Sequence, residues 1–278
     1  MKTLPFYFTP KEILNENRTS QENIDIIKDW LLTLEESVVP EIQDELIILF
    51  LLSCDNDIPL TKNTIVMYYK CKAESPEIFD DREMDRADIQ KAMNTIQMCT
   101  LPVRTEENYA IHYFRLNDTT YSNFDLVPTM KLSYMLLDIT QERKLPHGLV
   151  VIIDLKGIGL MHLSRLKLNA LKKYFQFLQE GFPLQLKVIH IINAVYFFDK
   201  IMNIIRVFMK SELVNLLKVH PPYSNQERLY DLVPKYCWPK DYGGDLPEVS
   251  VLHEKTKEQF EAKQEYWRIE QEIRQKSN

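Results

Sequence analysis

The sequence predicts a mixed α/β protein: an all-helical N-terminal bundle, then an α/β domain on a mixed, largely parallel sheet with a helical gate. Two uninterrupted apolar runs carry the sheet, Leu149-Val-Val-Ile-Ile-Asp-Leu155 and Val188-Ile-His-Ile-Ile192. Such runs suit strands buried on both faces, and helical spacing over the about thirty residues between them suits a parallel crossover. Upstream of about residue 95 the apolar spacing is helical throughout.

In order, Thr19-Ser-Gln-Glu22 reads as a capping box before Ile24, Ile27, Trp30 and Leu31. Pro40 can open a second helix through Leu46 and Phe50, and Thr61 can cap a third that Ser75-Pro76 breaks. Residues 80–86 read as a charged surface turn, and Asp85–Thr95 as a short helix. Tyr109–Arg115 alternates as a strand, and Asp125–Arg143 has helical spacing. After the crossover a helix is predicted over Tyr196–Met209, a shorter one over Ser211–Leu217, and a brief strand at Val219-His220. Pro239–Gly244 is turn-rich, and residues 248–275 are charged and helix-friendly, with Phe260, Tyr266, Trp267 and Ile269 as docking residues. The expected divisions are 1–95, 96–246 and a charged tail, 247–278.

Of the 278 residues 45% are hydrophobic and 27% charged, an ordinary globular balance. No stretch reaches the roughly 18 apolar residues of a membrane span, and the N-terminus turns polar too soon for a secretory leader. A soluble, cytoplasmic protein is expected. The net charge of −6 argues against nucleic-acid binding. Cys54, Cys71, Cys99 and Cys237 are scattered without a C-x-x-C pair, which fits reduced, buried thiols rather than a metal cluster.

Catalytic chemistry is not visible. Gly157-Ile-Gly159 sits between strand and helix as a phosphate loop would, but His162 stands where the third glycine belongs. Asp154 ends a core strand without a nucleophile or a second carboxylate nearby, so capping of the adjoining turn is its expected role. His190 reads as a hydrogen-bonded core residue, and His112, His147, His162, His220 and His253 show no metal-ligand spacing. On the Tyr196–Met209 helix, Asp199, Asn203, Arg206 and Lys210 share one face and apolar residues crowd the rest. That arc suits either packing on a sheet or a movable cover over an apolar cavity.

The order of segments resembles the CRAL-TRIO family of lipophilic-ligand carriers over residues 20–246. Its specific parts are Gly148-Leu-Val-Val-Ile-Ile-Asp-Leu-Lys-Gly157, Phe182-Pro183-Leu184 with Ile189-His190-Ile-Ile-Asn193, Phe208-Met-Lys-Ser-Glu-Leu213 and Trp238-Pro-Lys-Asp-Tyr-Gly-Gly244. The resemblance implies a non-enzymatic carrier of one tocopherol, retinoid, carotenoid or other isoprenoid, with no cofactor beyond that lipid. It places the ligand against Leu132, Met135, Ile153, Leu155, Ile158, Leu160, Leu166, Tyr174, Phe177, Leu178, Phe182, Leu184, Ile189, Ile201 and Ile205. Phe197, Phe198, Ile201, Ile204, Ile205 and Phe208 would form the gate. Where the family presents basic residues to a membrane phosphoinositide, this chain has Gln185, Lys187, Glu212 and Leu216, leaving Lys187 with Lys210 and Lys218 nearby. A monomer with transient membrane contact is expected. The alternatives are a lipid-sensing module acting through a protein partner, motivated by the altered basic cluster and the charged 248–278 tail, and phospholipid or phosphoinositide transfer.

Overall fold

The computed structural model describes residues 4–35, 38–141, 144–222 and 226–276. These open with helices α1 (Pro10–Asn15), α2 (Gln21–Leu31), α3 (Asp44–Ser53), α4 (Ile58–Ala73), α5 (Pro76–Phe79) and α6 (Ala87–Thr95). Short polar side chains start several of them by taking up an orphan amide of the first turn. Ser20 Oγ accepts from the Asn23 N–H at 3.2 Å, so the cap of α2 lies one residue beyond Thr19. The Asp57 carboxylate accepts from Leu60 N–H and caps α4. Thr61 lies inside that helix, its hydroxyl donating to the Asp57 carbonyl. Pro40 precedes α3 instead of opening it. From Leu46 to Leu51 every residue of α3 is buried, as expected of a helix that is apolar all round.

The α/β part runs β1 (Ile96–Thr100), β2 (Tyr109–Leu116), α7 (Leu126–Thr140), β3 (Gly148–Asp154), a 3-10 turn (Leu160–Arg165) and α8 (Leu168–Glu180). It continues with β4 (Leu186–Ile192), α9 (Phe198–Ile205), a 3-10 turn (Arg206–Phe208), α10 (Ser211–Asn215) and β5 (Leu217–Val219). Residues 142 and 143, the end of the helix predicted to reach Arg143, lie outside the described residues. The strands form one mixed sheet in sequence order; β1 is antiparallel to β2 and the remaining pairings are parallel. Right-handed crossovers that always step the same way put their helices on one face, so α7, α8 and α9 cover the same side. The other face is left to the chain after β5.

That second face is closed by Trp238, Leu229, Val233, Val249 and Leu252 against Ile111, Tyr113, Val150, Ile152 and Ile192. The Trp238 indole N–H donates to the Leu229 and Val233 carbonyls at 3.1 and 3.0 Å, so the ring is buried with its polar atom satisfied. Gly244 follows because a Cβ there would lie 2.0 Å from the Trp238 carbonyl oxygen.

Residues 248–275 dock as helices. They form α11 (Val249–Ala262) and α12 (Gln264–Lys276), and Phe260 and Trp267 pack with Ile96, Met98, Leu132, Met135 and Leu136. Glu270 of α12 is buried and accepts from Lys72 Nζ at 2.8 Å, from Arg274 Nε at 2.9 Å and from Arg82. Burial alone would raise its carboxyl; Lys72, Arg274 and Arg82 outweigh that and hold it below the usual range. Arg82 is therefore interior, although residues 80–86 read as a surface turn. Opposite charge waiting across the fold makes that burial tolerable. Among the described residues no helix is long and apolar enough to cross a membrane.

Candidate functional site

Successive β3 side chains alternate between the faces, and the two sides are filled differently. Val150 and Ile152, toward Trp238, are buried; Val151 and Ile153, toward the helices, are only half-buried although β3 is an interior strand. They share a cluster with Leu155, Ile158, Leu178, Leu186, Ile189, Ile191, Phe198, Leu213 and Leu217. The helix above this floor, α9, has no buried residue, although Phe198, Ile201, Ile204 and Ile205 give it a broad apolar face. Its first turn rests on the sheet through Phe198, while Ile204, Ile205 and Phe208 lean on the cluster that includes Leu166, Tyr174 and Phe177. A five-stranded sheet roofed by helices would normally close to full packing. Here Val151 and Ile153 keep accessible surface beneath the roof.

The fifteen residues expected around a ligand fall into several neighbourhoods. Ile153, Leu155, Ile158, Leu178 and Ile189 meet on the floor. Leu166, Tyr174, Phe177, Phe182 and Ile205 meet beside it, around α8. Leu184 packs with Ala110, Leu137 and Leu149, nearer the sheet's other end. Leu132 and Met135 are fully buried against β1, Phe260 and Trp267, apart from the others. Leu160 is exposed and Ile201 half-buried. Of the gate residues, Phe197 is buried in an edge-on contact with Tyr196, with ring centroids 5.0 Å apart. Tyr196 is 91% exposed and Val207 is 74% exposed, so the two ends of the covering segment present apolar groups to solvent.

At the carboxyl ends of β2, β3 and β4 lies a more polar cleft of about 780 Å³, whose lining includes Arg115, Asp154, Lys156, Asn193, Asp241 and Tyr242. Leu155 and Val195 belong both to this cleft and to the apolar cluster, so the two regions adjoin. Asp154 is buried and its oxygens are occupied. Oδ1 accepts from Lys156 N–H at 2.7 Å and Asn193 Nδ2 at 2.9 Å; Oδ2 accepts from Tyr113 at 3.4 Å and from the Tyr242 hydroxyl. Burial beside that carboxylate drives the Tyr242 hydroxyl well above its usual range. A carboxylate held in this way fastens turns and strand ends. The Tyr113 and Tyr242 partners lie far away in the chain, and nothing in the local sequence signals them.

The three lysines expected at a phosphoinositide have separate surroundings. Lys187 lies 5.6 Å from the Tyr109 ring centroid and donates to Gln185. Lys210 pairs with Glu180 at 2.7 Å. Lys218 is exposed on β5 and faces His190 in register. His190 itself is buried against His220, its Nδ1 3.1 Å from the His220 Nε2. Among the described residues no group of three or more His, Cys, Asp or Glu side chains could hold a metal ion.

A mixed, mostly parallel sheet with one helical layer, a half-buried apolar floor and a separately packed rear face defines a class of α/β domain. Comparison with known proteins specifies it. The CRAL/TRIO domain model matches residues 94–244, more than half of the chain, and the chain belongs to that family. A Pinta-like UBA domain model matches residues 16–89, the helical N-terminal part. The chain is 26% identical over 212 residues to a mouse (Mus musculus) alpha-tocopherol transfer protein-like protein, covering 76% of this chain and 61% of that one. It is 24% identical over 231 residues to the human (Homo sapiens) protein of that name, covering 82% and 66%, and 24% identical over 242 residues to Clavesin-1 of Xenopus laevis, covering 84% and 71%. The chain thus spans 61% to 66% of the length of these tocopherol-transfer-like relatives. The crystal structure of Sfh5 shares the fold, with a TM-score of 0.53 at 14% identity over 76% of this chain and 75% of that one.

Proposed function

We propose that the protein is a non-enzymatic carrier that holds one lipophilic molecule on the floor formed by β3, β4 and β5, with α9 and the turn after it as a movable gate. The reading rests above all on the half-buried Val151 and Ile153 beneath a helix that has no buried residue. An isoprenoid-sized lipid that withdraws about 400 to 500 Å² from water gains on the order of 10 kcal/mol before ordering costs. An apolar pocket with few polar groups can supply that. The named relatives include alpha-tocopherol transfer protein-like proteins, so a tocopherol is one ligand to try, beside retinoids, carotenoids and other isoprenoids.

Exposed Tyr196 and Val207 at the ends of the gate segment, with exposed Lys200 and Arg206 between them, suit transient contact with a lipid surface. Opening there would pass the ligand to the bilayer without crossing water. The test is transfer of a fluorescent tocopherol analogue from donor to acceptor phosphatidylcholine vesicles. Transfer should rise in proportion to protein concentration, and a rate indifferent to the protein would overturn the reading.

A further inference from the structure

The gate segment has two ends, and both are fastened at one place. The chain leaves the sheet after β4, forms α9 and α10, and returns as β5. Backbone bonds join departure to return: Ile189 N–H donates to Leu216 at 2.9 Å, His220 N–H to Ile191 at 2.8 Å and Ala194 N–H to His220 at 3.0 Å. At the same spot His190 Nδ1 lies 3.1 Å from His220 Nε2, with ring centroids 5.2 Å apart. One nitrogen of that contact must donate and the other accept, so the pair needs at least one neutral ring.

We propose that His190 and His220 form an acid-sensitive staple that holds the base of the gate closed when neutral and releases β5 when protonated. Two imidazolium rings at this distance repel one another, and Lys218, the partner of His190 across β4 and β5, adds a third positive charge. The neighbouring 3-10 turn Gln226–Asp231 carries Glu227, Arg228 and Asp231, all exposed. His220 and Lys218 are the charges that act on His190. β5 is a three-residue edge strand with one sheet neighbour, so it is the element least able to resist such repulsion.

Direction and window follow from linkage. Burial first, then His220 and Lys218, lower His190 from 6.5 to about 4, and burial lowers His220 as well. Between those values the loosened segment takes a proton that the closed one refuses. Closure is therefore complete above about 6.5 and weakens as pH falls toward 4. From His190 alone, the shift toward the loosened form between pH 7 and pH 5 is about twentyfold. The link from loosening to ligand release rests on the carrier reading above.

Amide hydrogen exchange on ligand-free protein tests the staple without that reading. After correction for intrinsic rates, protection of the Ala194 and His220 amides should fall about twentyfold from pH 7 to pH 5, while β2 and β3 stay protected. The decrease should disappear in His190→Gln/His220→Gln. If that variant does not fold, ring titration by NMR in the unaltered protein decides, with His190 expected well below 6.5. Protection indifferent to pH, an equal fall in the double variant, or His190 titrating at 6.5 would each overturn the staple. Failure of vesicle transfer with the exchange result intact would remove the carrier and keep the staple.

Discussion

Val150 and Ile152 are closed off beneath Trp238, whereas Val151 and Ile153, each one residue further along the same strand, remain half-open beneath α9. The strand is equally apolar toward both sides. What differs is the cover. The rear face is sealed by a large aromatic ring with satisfied hydrogen bonds and by the glycine turn that fits against it. The front is roofed by a short helix that rests partly on the sheet and partly on α8. One face is therefore packed more completely than the other.

Trp238→Ala should break that contrast most strongly, at about 3 to 5 kcal/mol of unfolding free energy, because no neighbour can refill an indole-sized void. Chemical denaturation measures it, and a loss below about 1 kcal/mol would make the rear face no more filled than the front. Next come the paired truncations on β3. Ile152→Ala should cost about 2 to 4 kcal/mol and Ile153→Ala about 1, since less packing is lost where less exists. Equal costs would erase the difference between the faces.

On the front face, His112 is buried with its Nε2 2.7 Å from the Thr140 hydroxyl, and burial depresses it to about 3. The unfolded chain binds that proton first, so stability should decline as pH falls from about 6.5 toward 3. By pH 5 this one group accounts for about 2 kcal/mol. Denaturation against pH should show a shallower slope in His112→Asn; an identical slope would count against the assignment. The smallest effect is expected at the surface. Tyr196→Ser or Val207→Ser should each weaken adsorption to anionic vesicles about threefold and leave the melting temperature unchanged. A sedimentation assay reads this, and unaltered adsorption in both would move the contact elsewhere.

Legibility in the sequence followed the range of the interactions. β3, β4 and the Trp238–Gly244 turn announce themselves through local patterns, and the strands fall within two residues of expectation. β1 was hidden because α6 runs straight into it, Ile96 closing the helix and opening the strand. Phe260 and Trp267 are legible as docking residues of the C-terminal helices, but the partner of Glu270, Lys72, lies 198 residues away, a distance no local pattern spans. Of the expected ligand contacts, those on β3, β4 and the following turn share a floor, while Leu132 and Met135 turn toward the C-terminal helices. Helical spacing identified an apolar face there and left open which neighbour it would meet.

Filling the front floor tests the central claim most directly. Mass spectrometry of organic extracts from purified protein should recover about one lipophilic molecule per chain, and none from Ile153→Trp. That variant should fold with an unchanged or raised melting temperature, since the added ring occupies space rather than displacing side chains. An Ile153→Trp protein that retains its lipid, or an unaltered protein that yields none, would contradict the account.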